Sequence, residues 1–248
     1  MKKSNSTAIR IITWNCNMAF RKKYARILKM KPDVLVIQEC ENIDRLHPFL
    51  EKISYNNILW YGNNPNKGIA IISFNECLIE PMDEFDNSFE YILPLTLRCA
   101  NTLSHLFCIW AMPHKTERSK NYVGQIWGAM KYYSNLLKKP SILIGDFNSN
   151  AFWDESIKTG NHSELVNFLA QENIISIYHR QEQVAPGNEK DPTFFLVKKK
   201  EKPYHLDYCF VSQQMIGPQT KLEVGKYEHW IKLSDHMPII IDQLILGV

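Results

Sequence analysis

The sequence predicts an α/β (α+β) fold in which two sheets pack face to face with helices outside. Three observations lead there. Short apolar segments recur between polar turns along the chain, which is the pattern of many strands. Several of these segments are apolar without alternation, as in strands covered on both faces. Between them lie a few stripes at helical spacing, and a mixture of many strands with few helices favours stacked layers.

Taken in order, strands are predicted at residues 9–14, 34–37, 69–73, 91–98, 106–110 and 142–144, and again at 193–197, 205–211 and 238–246. Phe20, Tyr24, Ile27 and Leu28 mark a first helical stripe, which Pro32 stops. Val123, Ile126, Trp127, Met130, Tyr133 and Leu137 mark a longer one, and Lys138-Lys139-Pro140 closes it with cations at the negative end of the dipole. Asn161-His162-Ser163-Glu164 has the form of a capping box, with Leu165, Phe168 and Leu169 following on one face. These aromatic and methionine stripes are core packing. The run Lys198-Lys199-Lys200-Glu201-Lys202 separates two strand segments and reads as a solvated hairpin tip.

A chain of 248 residues buries a large core, and residues 1–248 are expected to form a single domain with a flexible N-terminus at residues 1–7. The formal net charge of +3 neither demands nor excludes a polyanionic partner. No segment approaches the ~20 apolar residues of a membrane-spanning helix, and the N-terminus lacks the apolar stretch of a secretory signal. The expectation is a cytoplasmic protein with no membrane partner. Cys16, Cys40, Cys77, Cys99, Cys108 and Cys209 form no C-x-x-C pair, so neither a zinc site nor a disulfide framework is expected, and all six read as buried free thiols.

Chemistry concentrates where polar residues meet strand ends. In Gly145-Asp146-Phe147-Asn148-Ser149, which follows Ile142-Leu143-Ile144, a carboxylate and an amide stand two residues apart and point to one side. Glu39 ends an apolar strand, where a carboxylate is costly unless it is paired or bound to a cation. Asp235 faces the same cost at the start of another strand. Two carboxylates with amide oxygens suit a hard cation such as Mg2+. Asp207 and His236 make a plausible carboxylate–imidazole pair. Such a set fits phosphoester hydrolysis, with a metal, a base that activates water, and cationic donors. A serine hydrolase lacks its G-x-S-x-G, and nucleotide-binding folds lack their glycine fingerprint. Each residue also has a structural role open to it: Asn15 as a strand-end hydrogen-bonder, Glu39 as a helix cap, His236 as a core histidine, Asp207 as a hairpin acid.

Seven fragments together carry a resemblance. They are Thr13-Trp14-Asn15, Val36-Ile37-Gln38-Glu39, Lys67-Gly68-Ile69-Ala70-Ile71-Ile72-Ser73, Ile144-Gly145-Asp146-Phe147-Asn148-Ser149, Asp191-Pro192-Thr193-Phe194-Phe195, His205-Leu206-Asp207-Tyr208 and Leu233-Ser234-Asp235-His236-Met237-Pro238. In this order the chain resembles the endonuclease/exonuclease/phosphatase superfamily, of the exonuclease III and deoxyribonuclease I kind. The resemblance implies a four-layered α/β sandwich with two mostly antiparallel sheets. It implies Glu39 as the principal metal ligand, helped by Asn15, Asp235 and Asn17, with Mg2+ as cofactor and Mn2+ as a substitute. Asp146 would orient or deprotonate the attacking water, Asn148 would hold a phosphate oxygen, and His236, oriented by Asp207, would stabilise the transition state.

One departure concerns Met112-Pro113-His114, after the strand that ends at Trp110. Exonuclease III-like enzymes usually present Tyr in this region, whereas deoxyribonuclease I and several phosphatases have His. His114 is therefore a candidate general acid or phosphate contact, and a specific abasic-site assignment is weakened. Arg21-Lys22-Lys23 and Arg26 read as a solvated helix face or as a track for a phosphate backbone. Tyr122, Trp127, Trp153 and Trp230 are candidate stacking surfaces for unpaired bases. The expected activity is a Mg2+-dependent phosphodiesterase, a nuclease acting on DNA. The alternatives are a phosphatase of a small soluble phosphoester, such as a nucleotide or inositol phosphate, and a non-catalytic scaffold with a vestigial site.

Overall fold

The strand-forming runs pair as two six-stranded sheets in a computed structural model that describes residues 7–114, 116–117, 120–156 and 159–247. The first half of the chain contains β1 (Thr7–Asn15), α1 (Tyr24–Leu28), β2 (Val34–Cys40), α2 (Ile43–Leu50), β3 (Asn57–Asn64), β4 (Lys67–Ser73), β5 (Cys77–Pro81), β6 (Ile92–Cys99) and β7 (Thr102–Trp110). The second half adds α3 (Val123–Tyr132), α4 (Ser134–Leu137), β8 (Ser141–Asp146), α5 (His162–Gln171), β9 (Ile174–Ser176) and α6 (Ile177–Glu182). A short hairpin, β10 (Phe194–Phe195) and β11 (Pro203–Tyr204), precedes β12 (Asp207–Ser212), β13 (Ile216–Val224), α7 (Tyr227–Trp230) and β14 (Ile239–Leu246).

One sheet runs β13-β14-β1-β2-β4-β3 and the other β5-β6-β7-β8-β12-β9. Each contains one parallel pair, β1 with β2 and β7 with β8, and is otherwise antiparallel. The two-residue period sorts their side chains into layers. Ile11, Val34, Val36, Ile71, Ile142 and Ile144 fill the space between the sheets. Ile12, Trp14, Leu35 and Ile37 face outward against Phe20, Ile27, Leu46 and Trp230. On the other side Phe107, Ile109 and Leu143 pack on Val123, Ile126, Met130 and Leu165. The result is the four-layered α/β sandwich, helices outside. No described helix is long and apolar enough to cross a membrane.

Several expectations need correction. Thr7, assigned to a flexible N-terminus, is the first residue of β1, while residues 1–6 lie outside the described residues. The long stripe from Val123 to Leu137 breaks into α3 and α4 at Tyr133. The segment at 193–197 is a strand only at Phe194–Phe195, because Val197 and Lys198 turn into positive φ. Cys77 and Cys99 are not free thiols: they face each other across β5 and β6 and form a disulfide. The other four cysteines are buried and unpaired. Asn161 caps α5 as expected, accepting from the Glu164 amide at 2.9 Å, and the Glu164 carboxylate accepts from the Gly160 amide. The lysine run is the exposed tip of the β10–β11 hairpin.

Candidate active site

The sheet topology brings the polar strand ends to one edge of the sandwich. Asn15 ends β1, Asp146 ends β8 and Asp207 opens β12 directly across from Asp146. Gly145 makes the approach possible. Its φ is +144°, and a Cβ there would stand 1.9 Å from the Ile109 carbonyl oxygen, so no larger residue fits. Glu39 sits in a β-bulge of β2 at φ +57°, where the register against β4 shifts between Gln38 and Cys40. A bulge re-aims a side chain, here an acid turned to the same edge. Asn17 and Asn148 also have positive φ, at +50° and +46°. Held strain of this kind clusters at functional positions.

The residues form one hydrogen-bonded array. The Asn15 amide donates to Asp146 Oδ2 at 3.0 Å and to Glu39 Oε1 at 3.5 Å. Asn17 donates to Asp235 Oδ1 at 2.9 Å. The Asn148 backbone donates to Asp146 Oδ1 at 2.9 Å, and its amide donates to Asp146 Oδ2 at 3.1 Å and to the Ala111 carbonyl at 3.0 Å. His236 Nδ1 donates to Asp207 Oδ2 at 2.9 Å, and its Nε2 lies 3.9 Å from Asp146 Oδ2.

Burial and charge tune this array in opposite directions. Burial pushes the Asp146 carboxyl up to about 7, against the lowering by His236 and with a further rise from Asp207. Burial also disfavours a charged His236, but Asp207 and Asp146 outweigh it and raise the imidazole to about 10. His236 is therefore held as an imidazolium near neutrality, and the Asp146 carboxyl is held above the usual carboxylate range.

Two donor sets adjoin. Among the described residues, Asp146, Asp207 and His236 form the one group of three acid or histidine ligand atoms that lie within 4.8 Å of one another. A charged imidazole with Nδ1 bound to Asp207 is a poor metal ligand. Glu39 and Asp235, with the amides of Asn15 and Asn17, are hard oxygen donors and fit a cation such as Mg2+ better. Asp207 Oδ1 is buried without a hydrogen-bond partner, so this edge retains acceptor capacity.

His114 is not brought into the array. Its Nδ1 accepts from the Thr116 and Glu117 amides, and its own amide donates to Asn121. Arg21 pairs with Glu41, and Lys23 donates to the Cys16 and Asn17 carbonyls beside the site. Of the candidate stacking residues, Trp230 is core, packed edge-on against Trp14, whereas Tyr122 and Trp153 line a cavity next to Asn148.

Sequence reasoning gave no role to the groups that hold the array. Thr193 Oγ1 accepts from the Leu206 and Asp207 amides at 2.9 and 3.0 Å, fixing the start of β12. Ser234 Oγ donates to the Asn15 carbonyl at 2.7 Å and accepts from the His236 amide. Trp14 Nε1 donates to the His236 carbonyl at 3.0 Å. The Ala111 carbonyl accepts from the Asn148 amide at 3.0 Å. All but Ala111 lie inside the fragments that carry the resemblance, which was their available signal.

No protein-family model and no curated protein matches the chain. Solved structures do match. Truncated TDP2 of Caenorhabditis elegans is 18% identical with a TM-score of 0.66, covering 99% of each chain. The 3'-5' exonuclease NExo of Neisseria meningitidis is 15% identical with a TM-score of 0.65, covering 95% of this chain and 99% of its own. An AP endonuclease from Archaeoglobus fulgidus is 17% identical with a TM-score of 0.68, again covering 95% and 99%. The chain shares their fold over nearly its whole length.

Proposed function

We propose that this chain is a metal-dependent phosphodiesterase of the endonuclease/exonuclease/phosphatase superfamily, a nuclease that hydrolyses DNA phosphodiester bonds. The observation that carries the proposal is the hydrogen-bonded array. Through Asn15, one set of contacts joins a proton-exchanging acid, Asp146, to the oxygen donors around Glu39. The similar structures, an exonuclease and an AP endonuclease among them, support the same reading.

Asp146 takes the proton of the attacking water, a task suited to a carboxyl held near neutrality. Asn148, whose amide donates to Asp146 and Ala111 here, would release one of these N–H groups to hold a phosphate oxygen. His236 remains charged against Asp207 and stabilises the negative charge that develops on the phosphoryl group. Glu39, Asp235, Asn15 and Asn17 would hold Mg2+, or Mn2+ in its place. Such an ion, when bound, polarises a phosphoryl oxygen. His114 makes its hydrogen bonds to Thr116, Glu117 and Asn121 rather than to the array, so His114→Ala is expected to leave turnover nearly unchanged.

The test is incubation with Mg2+ and end-labelled single-stranded, duplex and abasic-site DNA, with Asp146→Asn as control. Cleavage by wild type alone supports the nuclease, and the ladder separates endo from exo action. A phosphatase of a small phosphoester is the second reading, favoured by a cavity of about 730 Å3 beside Asn148, a size usual for small-molecule sites. Cleavage of soluble phosphoesters without DNA cleavage would select it.

The cytoplasmic placement meets one opposing observation, the Cys77–Cys99 disulfide, because cytosolic thiols are kept reduced. Thiol counting in denatured protein, alkylated at lysis, decides between the two. Four free thiols would indicate an oxidising compartment, and six a reducing one.

A further inference from the structure

An unbroken series of aromatic rings runs from the catalytic histidine to the surface. Phe194 lies against His236 with centroids 4.6 Å apart, and Tyr204 follows at 6.3 Å. Trp153 is stacked on Tyr204 at 5.3 Å with 30° between planes, and Phe152 meets Trp153 edge-on at 6.4 Å. The last ring, Phe152, is 75% exposed, the most exposed of the large apolar side chains described. An isolated exposed phenylalanine needs no explanation. One that ends a series beginning at the phosphate-handling imidazole does.

The outer rings are fixed to the catalytic loop. Asn150, two residues after Asn148, accepts from the Phe152 amide at 2.9 Å, and its carbonyl accepts from the Trp153 amide at 3.1 Å. The Asn150 side chain in turn donates to Glu189, to the His205 carbonyl and to the Tyr208 hydroxyl. Asn150 thus ties the two outer rings to the loop that carries Asn148.

Trp153 also divides two cavities. The larger, of about 730 Å3, runs from Asn148 and Leu206 past Trp153 to Tyr122, which is 40% exposed. The smaller, of about 320 Å3, is lined by Trp153, Tyr204, Phe152 and the exposed Lys190. The acid in the larger cavity, Asp154, is already satisfied, since both its oxygens accept backbone amides at the start of α5.

We propose that this series is a stacking track for the unpaired bases of a single DNA strand, held with its scissile phosphate at Asn148 and His236. The proposal rests on the phosphodiesterase reading of that site and adds the substrate class. Flat rings in succession, with a cation beside them, bind bases by their faces with little regard to sequence. In a duplex those faces are covered by neighbouring base pairs, so the track selects unpaired DNA.

The test measures binding apart from turnover. Fluorescence anisotropy with a labelled twelve-nucleotide single strand and the matching duplex would compare Asp146→Asn with Asp146→Asn carrying Phe152→Ala or Trp153→Ala. Each ring removed should raise the single-strand Kd by about 5- to 150-fold, with the duplex Kd shifted by less than about twofold. A 2-aminopurine in the strand should be quenched on binding, and Trp153→Ala should relieve the quenching. Trp153→Phe, which keeps a ring, should retain most of the affinity and guards against simple misfolding. Equal losses for strand and duplex, or no loss in either, would overturn the track. Wild type with Mg2+ on the same strand separates the two ideas. Hydrolysis with ring-independent binding defeats the track alone, and ring-dependent binding without hydrolysis of any phosphoester defeats the phosphodiesterase reading alone.

Discussion

Two buried clusters of histidines and acids lie side by side in this protein, and their buried imidazoles differ in charge. In the first, His236 has a carboxylate near each ring nitrogen, Asp207 at 2.9 Å and Asp146 at 3.9 Å. In the second, His162 and His205 flank the Tyr208 ring, each with its centroid 4.9 Å away. His162 Nδ1 has only the Ser149 hydroxyl, at 2.8 Å, and His205 Nδ1 donates to the Asp191 carbonyl. In both, Nε2 is buried without a partner. Burial acts alike on all three rings, yet His236 is raised to about 10, His162 is lowered to about 4 and His205 is also lowered. Carboxylate contact, not burial, decides which histidine is charged. In the proposed function, the first cluster handles protons and phosphate. The second holds Asn150 and the catalytic loop in place.

Removing the acid of the charged cluster should have the largest effect. Asp146→Asn is expected to lower turnover by about 10^2- to 10^4-fold, the usual range for loss of a general base, while circular dichroism and melting show an intact fold. Near-normal turnover would end its assigned role. In wild type the rate should rise as pH passes about 7, where Asp146 ionises, and fall near pH 10, where His236 discharges. A pH–rate profile under single-turnover conditions checks both limbs.

Asp207→Asn tests what makes the two clusters differ. Losing one partner of a buried pair should cost about 3–5 kcal/mol of stability. The His236 contribution has a defined sign: folding raises its pKa, so the stability is complete below its ordinary value of 6.5 and is lost as pH rises through about 10. Imidazole proton shifts in metal-free protein should show His236 charged at neutrality in wild type and titrating lower in Asp207→Asn. An unchanged titration would show that Asp207 does not set the charge.

The charged cluster was legible in the sequence and the neutral one was not. Asp146, Asn148, Asp207 and His236 each stand next to a continuous apolar strand, where a polar group demands a reason. So do Asn15 and Glu39, but the bulge that turns Glu39 to the site has no sequence signal, because its φ of +57° is imposed by pairing with β4. His162, His205 and Glu189 come from a helix start and two loops, and only the folded chain places them around Tyr208. The strands missed all lie at edges. β3, β5, β9 and β13 are the four edge strands of the two sheets, and β11 is the two-residue arm of the small hairpin; β3 and β13 are also half-exposed, and β13 carries Gly217 and Pro218. In α2, Pro48 interrupts the helical pattern. The disulfide was illegible because Cys77 and Cys99 meet only through the register of β5 with β6.

Glu189 offers a milder test, on the neutral side. It is buried, which by itself raises its pKa, but hydrogen bonds from His179, Asn150 and the Gly187 amide hold it down at about 2. Its stability contribution is therefore complete above its ordinary value of 4.5 and lost as pH falls through about 2. Glu189→Gln should cost about 1.5–3 kcal/mol, the range for hydrogen bonds to a charged group, read as a lowered denaturation midpoint. Turnover on a small chromogenic phosphodiester should fall far less than in Asp146→Asn, since Glu189 reaches Asn148 only through Asn150. A loss of turnover as large as that of Asp146→Asn would mean that the two clusters act as one.

The smallest expected effect is the most direct on the charge difference. His162 is neutral when folded, with its pKa lowered to about 4 by burial, so its sign is opposite to that of His236. Stability from keeping it neutral is complete above 6.5 and is lost as pH falls from there toward 4, because the unfolded chain binds the proton first. Melting temperatures of wild type should therefore drop between pH 6.5 and 5, and His162→Phe, which keeps the ring against Tyr208 but cannot be protonated, should show a shallower drop over the same interval. The Ser149 hydroxyl loses its partner at Nδ1 in that variant, so its melting temperature at pH 8 should lie slightly below wild type, and the two curves should converge as the pH falls. Parallel curves would mean that His162 is already charged in the folded protein and that hydroxyl contact suffices to hold a buried imidazolium. The contrast with His236 would then have to rest on something other than its carboxylates.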